Sequence, residues 1–401
     1  MLEPVDSLVH GARLPGRAPE PRDEDVPWFL PRPPRLRESG DALLDRTIRA
    51  DRLLRPAQHA NLRAMADDLF LRRSIWNSVP VRLLFEFNRR CNVKCVHCDI
   101  RRVGTQDLGL DVFERVLDAI GHGAFEVMPI VGGEPTLAPI EGAAALCRRY
   151  GQWLNFITNG ILFTREWFEP IADVTARVQF SLHAHERERF ARVIPGADFD
   201  VVVRNVRDVA AIGRQRGMQV LACIVPMFGM LERLHEYVRF VAELGVDRII
   251  VQNLYPHTTR KAALDPEGMT DPGLRRDAFA RALEAAIEVG VHVETNVPEL
   301  WGDPRNVPRE RSRFDLLQDS AELVAQFAPE FCISTAMQAV IEHDGTVLPC
   351  IRDRIPLGNV HRQPFLELWN GEVMQSLRES HFRATPRPAC RSCRSFYLGH
   401  P

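Results

Sequence analysis

The sequence predicts an α/β fold: a partial (β/α)6 TIM-like barrel followed by a small C-terminal module of β-hairpin and helix. Between residues 81 and 254 six apolar runs alternate with amphipathic stretches, the pattern of βα units that build a parallel sheet with helices outside it. The runs are near-continuously apolar, as in strands buried on both faces. Beyond them, two short strand patterns flank Asp344-Gly345, a strong hairpin turn signal.

Taken in order, residues 13–36 are too rich in proline for a regular helix or central strand and read as an extended arm. Residues 40–74 are helical in pattern and carry no chemical motif. The strand patterns fall at 81–88, 125–132, 153–159, 177–182, 218–225 and 248–254. Between them, 110–120, 138–150, 164–172, 199–216 and 230–244 read as helices, the last closed by Gly245. A helix at 273–289 and a short strand at 291–295 follow, then a Pro/Arg/Asn-rich stretch at 298–313. The hairpin spans 337–349, and 364–380 reads as a helix interrupted near Gly371. The expected division is an arm and helical segment at 1–79, the barrel at 80–297, a linker at 298–326 and the module at 327–401.

Composition limits the function classes. The 401 residues are 45% hydrophobic and 26% charged with a net charge of −2, which offers no electrostatic case for nucleic acid or an anionic membrane. No apolar run approaches the roughly 18–20 residues that span a bilayer. The N-terminus lacks the basic-then-apolar pattern of a secretory signal, so the expected location is the cytoplasm, with neither nucleic acid nor membrane as partner.

In that reducing setting, nine cysteines point to metal before disulfides. Cys91, Cys95 and Cys98 form CxxxCxxC directly after the first strand, where the C-terminal face of a βα barrel collects its chemistry. Thiolates are soft ligands that select zinc, copper(I) or iron–sulfur clusters. A [4Fe–4S] cluster normally takes four cysteines, so three leave one iron open, whereas a structural zinc would close its shell. His97, between two of the cysteines, is the alternative fourth ligand.

The CxxxCxxC loop in this position resembles the radical S-adenosylmethionine (radical SAM) superfamily, and the resemblance continues over residues 80–260. Gly132, Gly133, Glu134 and Pro135 resemble the family's GGEP motif, which implies that backbone and carboxylate hold the methionine ammonium of SAM. Thr158, Asn159 and Gly160 resemble its TNG. Ser181 ends the fourth strand, where the family often places a serine that contacts SAM; the usual Asp after Ser-Leu is here His183. Arg192 lies in the segment that follows and is a further candidate contact. The resemblance implies reductive cleavage of SAM to a 5′-deoxyadenosyl radical that takes a hydrogen atom from substrate, with electrons from an external flavodoxin- or ferredoxin-type donor.

The late cysteines, Cys332, Cys350, Cys390 and Cys393, sit in a line similar to the SPASM/twitch subgroup: DGTVLPC, LGNV, ELWN, LR, then CxxC. Four cysteines imply one auxiliary [4Fe–4S] cluster, fully ligated by protein. Only one close CxxC pair is present, which argues against a zinc ribbon.

Of the remaining residues, Cys147 reads as core. Cys223 reads as a buried small hydrophobe or, alternatively, as a hydrogen-atom donor. Gln252, Asn253, Tyr255, His257 and Glu86 are placed to face substrate, and His343 reads as an exposed hairpin residue. Three functions stay open: oxidation or epimerisation of a small alcohol, sugar or aminocyclitol; modification of a ribosomal peptide; or non-catalytic electron carriage. Residues 1–79 lack the three-stranded pattern of a winged-helix peptide-recognition domain, which weighs toward the small molecule.

Overall fold

The structure is a computed structural model that describes residues 54–98, 107–129, 132–246, 248–252, 272–295, 306, 312–315, 327–328, 331–351 and 354–391. The proline-rich arm, Asn253, Tyr255, His257 and Cys393 lie outside the described residues, as does most of the 298–326 linker.

Seven strands lie parallel in chain order: β1 (Arg82–Phe85), β2 (Glu126–Met128), β3 (Trp153–Thr158), β4 (Thr175–Ser181), β5 (Gln219–Ile224), β6 (Arg248–Val251) and β7 (His292–Thr295). The six expected βα units are present, and the short strand at 291–295 adds a seventh position to the same sheet. The helices are α1 (Pro56–Phe70), α2 (Leu110–Ile120), α3 (Ile140–Tyr150), α4 (Arg165–Phe168), α5 (Arg187–Val193), α6 (Phe199–Arg216), α7 (Leu234–Glu243) and α8 (Pro272–Val289). α6 shows why they form where they do. Asp198 accepts hydrogen bonds from the Asp200 and Val201 N–H groups at its start, and Val202, Val206, Val209 and Ala210 recur on one buried face.

The helices cover one face of the sheet. Leu83, Phe85 and Phe87 point to that face, and Phe85 and Phe87 meet Phe113 of α2 at 4.8 and 5.4 Å between ring centres. Because strand side chains alternate, Leu84 and Glu86 point to the other face. There Leu84 belongs to a small separate cluster with Val340, Leu348 and Met128, all contributed by strands or strand ends.

The hairpin strands of the C-terminal module join this sheet. β8 (Gln338–Ile341) runs parallel to β1, in register from Arg82–Gln338 to Phe85–Ile341. β9 (Thr346–Leu348) returns antiparallel to β8, and β10 (Gly358–Asn359) lies antiparallel to β9. The order is therefore β10-β9-β8-β1-β2-β3-β4-β5-β6-β7, ten strands without a break. Among the described residues the module also has four short helices: α9 (Ile333–Met337), α10 (Phe365–Trp369), α11 (Glu372–Phe382) and α12 (Pro388–Arg391). The expected interruption at Gly371 separates α10 from α11.

Two devices fasten the end of the sheet where the strands begin. From α1, Gln58 donates to the carbonyls of Ala124 and Gly151, and Asn61 to those of Val79 and Gly123, just ahead of β1, β2 and β3. From residues 312–315, Arg313 donates to the carbonyls of Thr175 and Arg216, and Asp315 receives Gln219 and Arg248. The opposite end, where the strands finish, carries the cysteine loop.

Candidate active site

Asn88, buried after β1, shapes the start of the cysteine loop: its Oδ1 accepts from Arg90 N–H at 3.0 Å and its Nδ2 donates to the Leu137 carbonyl at 3.1 Å. The turn closes with Cys98 N–H donating to the Cys95 carbonyl at 3.2 Å. Cys91 and Cys95 are half-buried and Cys98 is exposed. Four neighbours hold the loop. Glu134 N–H donates to the Arg90 carbonyl at 2.8 Å, and Val96 N–H to the Val193 carbonyl of α5 at 3.0 Å. Asn159 Nδ2 donates to Asn92 Oδ1 at 2.8 Å and also comes within 4.0 Å of Cys91 Sγ. The His97 ring meets His183 edge-on at 4.7 Å.

Glu134 is almost fully buried, and its carboxylate joins two strand ends. Oε1 accepts from Thr158 Oγ1 at 2.7 Å and from Thr136, and Oε2 accepts from Asn159 N–H at 2.9 Å. Burial raises its pKa, and these hydrogen bonds work against the rise. With Oε1 occupied, only Oε2 keeps acceptor capacity for an ammonium. Pro135 starts the 3-10 turn that follows. Gly160, at φ +80°, turns the chain after β3, and its carbonyl accepts from Asn205 of α6 at 2.8 Å.

On β4 and β5, Ser181 lies opposite Cys223. Burial, then the neighbouring His97, pushes the His183 pKa down to about 3, so its imidazole is neutral at pH 7; its Nδ1 accepts from Val225 N–H at 3.2 Å. Arg192 stacks on Phe228 at 4.2 Å. Cys147 is core, as expected. Burial raises the Cys223 thiol to about 12, against a small opposing effect of Arg177, so it stays protonated. Val220, Ala222 and Ile224 pack toward the helices, which turns Cys223 to the inner face.

The inner face meets the C-terminal module at Glu86. His343 Nδ1 lies 3.2 Å from Glu86 Oε2, and His343 is half-buried in the hairpin turn, contrary to its expected exposure. The cause is the β1–β8 pairing, which sets the hairpin tip against the strand end. Arg89 donates to Glu86 at 2.8 Å and also pairs with Glu342, which Arg354 reaches at 2.6 Å. Cys332, Cys350 and Cys390 are buried within the module. Among the described residues no three His, Cys, Asp or Glu side chains converge on a single ion. A cubane cluster makes a different demand, since its thiolates stand at separate corners.

The sequence reading missed a polar inner face. Arg82, Glu126, Asn155, Arg177, Gln219 and Arg248 occupy one belt across β1–β6, below the cysteine loop. Arg82 pairs with Glu126 at 2.9 Å, Asn155 donates to Glu126 at 2.9 Å, and Arg248 pairs with Glu294 at 3.4 Å. The signal was present: RVQFS places polar residues at 177, 179 and 181, alternating with apolar ones.

Comparison with known proteins agrees with this arrangement. Residues 85–244 match the radical SAM superfamily, and residues 332–394 match the SPASM iron–sulfur cluster-binding domain. The chain belongs to the radical SAM superfamily. As a radical SAM protein with a SPASM module it carries a SAM-binding [4Fe–4S] cluster and an auxiliary iron–sulfur cluster. It is 23% identical to a tungsten-containing aldehyde ferredoxin oxidoreductase cofactor-modifying protein of Pyrococcus furiosus, over 78% of this chain and 86% of that protein. It is 26% identical to a PqqA peptide cyclase of Bradyrhizobium diazoefficiens, over 44% of this chain and 47% of the cyclase. A mycofactocin maturase of Mycobacterium tuberculosis is 29% identical over 33% of this chain and 35% of its own. Against these last two the chain therefore spans half or less of the relative. The fold also matches Streptococcus suis SuiB bound to precursor peptide SuiA, with a TM-score of 0.59 and 19% identity over 84% of this chain and 74% of SuiB. Among the described residues no helix is long and apolar enough to cross a membrane.

Proposed function

We propose that this radical SAM protein modifies a peptide by oxidation, joining or desaturating positions on a ribosomal precursor. The observation that carries the reading is the β1–β8 pairing: it brings the loop of Cys91, Cys95 and Cys98 and the hairpin between Cys332 and Cys350 to the same end of one inner face. An oxidative reaction needs that proximity, because a substrate that has given up a hydrogen atom must then release an electron and a proton. The similarity to a PqqA peptide cyclase and a mycofactocin maturase supports a peptide over the small alcohol, sugar or aminocyclitol that the sequence suggested first.

In this reading Cys91, Cys95 and Cys98 hold the first cluster, which with SAM supplies the 5′-deoxyadenosyl radical. Three partly exposed thiols on a loop anchored by four neighbours fit that group. Gly132, Gly133 and Pro135 form the turn beside it. Glu134 fastens Thr158 and Asn159, keeping Oε2 for the ammonium of SAM, and Ser181 lies at the end of the adjoining strand. His183 supports His97 from beneath as a neutral ring, and Arg192, held by Phe228, borders the same loop. Cys332, Cys350, Cys390 and Cys393 hold the auxiliary cluster. His343, oriented by Glu86, takes the proton that substrate releases. Cys223, a protonated thiol on the inner face, fits a second reading, epimerisation, in which it returns a hydrogen atom. A flavodoxin- or ferredoxin-type donor supplies electrons.

The test is anaerobic: reconstituted protein, SAM and dithionite, with short peptides encoded beside its gene. The expected result is 5′-deoxyadenosine and a peptide lighter by two hydrogen atoms. Both disappear when Cys91, Cys95 and Cys98 are replaced by Ala, while auxiliary iron remains. Turnover of aminocyclitols or sugar alcohols, with peptides inert, would return the reaction to small alcohols. No 5′-deoxyadenosine under any condition would leave only electron carriage.

A further inference from the structure

We infer that the polar belt of the inner face contains a carboxylate-binding subsite, formed by Arg177 with Asn155 and Gln219, that receives an acidic group of the peptide substrate. The proposal rests on the peptide reading above and specifies its substrate.

The three residues stand in one row across β3, β4 and β5: Asn155 is in register with Arg177, and Arg177 with Gln219. Neighbouring strands are about 4.8 Å apart, so the row is about 10 Å wide. Each side chain has one end fixed and the other without a partner among the described residues. Asn155 Nδ2 donates to Glu126 at 2.9 Å, and Oδ1 has no partner. Gln219 Nε2 donates to Asp315 at 3.3 Å, and Oε1 has no partner. Those donor bonds to carboxylates also fix which end of each amide is oxygen. Arg177 Nη2 donates to Gln179 Oε1 at 3.1 Å, and the guanidinium lies on the Phe314 ring at 4.6 Å; its Nε is buried without a partner.

A buried cation ordinarily has a carboxylate beside it, because desolvating a charge without pairing it is unfavourable. Glu294 and Glu126 are near enough to favour the Arg177 charge, but the ion pairs that the carboxylates here form are with other cations. Glu126 pairs with Arg82, while Glu294 and Asp315 both pair with Arg248. Arg177 is enclosed enough for desolvation to lower its pKa, yet part of its surface stays accessible. The three unpartnered atoms themselves are buried, so an occupant would reach them from the inner side of the sheet. Ile157, on the same face of β3 two residues above Asn155, is 39% exposed and opens to the same side.

A cation with free N–H groups, flanked by two acceptor oxygens, matches a carboxylate accompanied by amide N–H groups. A peptide offers both. The methionine carboxylate of SAM is the other source of this chemistry. Its amino and carboxylate groups belong beside the cysteine loop, whereas Arg177 lies four residues below Ser181, about 13 Å down the strand.

The experiment uses the cluster-reconstituted protein with SAM bound and measures probe affinity by ligand-observed NMR titration. The probes are N-acetyl-glutamate α-amide against N-acetyl-glutamine α-amide, and N-acetyl-alanine against its amide. The first pair tests a side-chain carboxylate and the second a C-terminal one. At least one acid should bind about ten-fold or more tightly than its amide, the scale of one charge-assisted hydrogen bond. Arg177→Met should erase that difference without changing SAM affinity. The same variant should leave the unfolding midpoint of probe-free protein unchanged or raise it, since it removes a buried charge that has no ion pair of its own and Met keeps the contact with Phe314; a purely structural Arg177 would lower it. Acids and amides that bind alike, or not at all, would overturn the proposal and leave ordered water as the occupant of the row. Weakened SAM binding in Arg177→Met would overturn it in favour of SAM. If acid preference holds while no peptide supports 5′-deoxyadenosine formation, the peptide reading fails and the subsite stands; peptide turnover without acid preference sinks the subsite alone.

Discussion

Gly133 has no room for a side chain: a Cβ there would lie 2.7 Å from the Arg90 carbonyl oxygen. That carbonyl already accepts the Glu134 N–H, so retreat would break the bond between the two loops. Gly133→Ala is expected to introduce about 1–3 kcal/mol of overpacking strain and to push the cysteine loop away from the end of β2. After reconstitution, iron at the first site and 5′-deoxyadenosine formation should both fall about ten-fold or more, with auxiliary iron retained. Full iron loading together with full SAM cleavage would show that the loop has slack. GGEP and TNG were legible because each is a local string at a strand end. What joins them was not: the Glu134 bonds reach Thr158 and Asn159, 24 and 25 residues away, and no local pattern announces that contact.

At the scale of elements, the strands and most helices were legible because apolar runs, helical periodicity and caps are local. The hairpin was legible for the same reason: Gly345 takes φ +83° after Asp344. Its partner was not, because nothing in β8 names β1 across more than 250 residues. The charges at their junction follow from that pairing. Glu86 and Glu342 extend adjacent parallel strands just beyond the last registered pair, Phe85–Ile341, and Arg89 lies between their carboxylates. Arg89→Met would leave two largely buried carboxylates facing each other, with Arg354 still on Glu342. The expected destabilisation is about 1–3 kcal/mol, discounted because Arg89 is itself partly exposed. Adding Glu342→Gln should recover most of it, since one carboxylate then has no like-charged neighbour. The check is the urea midpoint of wild type, single and double variants. A double variant no more stable than the single would mean that the junction is held by strand pairing alone.

For the whole molecule, the closing contact is between residues 73–78 and the end of the module, some 300 positions apart. Arg378 of α11 lies under Trp76 and Trp369, 4.3 and 4.8 Å from their rings, and donates to the carbonyls of Ser74 and Trp369. Asn370 exchanges hydrogen bonds with the Trp76 backbone at 2.9 and 3.0 Å. The ELWN…LR line, read first as a family resemblance, thus has a physical basis, because its Trp, Asn and Arg clasp the segment before β1. Ser74, at the end of a segment that had shown no motif, joins the clasp only through a partner from the far end of the chain. His381, on the same helix, makes the clasp sensitive to acid. Burial pushes its pKa down to about 4, from 6.5 for an unperturbed imidazole. The folded state therefore holds the ring neutral where the unfolded chain would protonate it. Its contribution is fully present above about pH 6.5 and is lost as pH falls from there toward 4, reaching about 2 kcal/mol at pH 5. His381→Phe, set against Phe331 where the histidine ring meets it edge-on at 5.0 Å, removes the titrating group and keeps the ring. Unfolding free energies from urea titrations at pH 7 and pH 5 should then differ less for the variant than for wild type, by about that amount. Equal acid sensitivity in both would place the acid-labile element elsewhere in the chain.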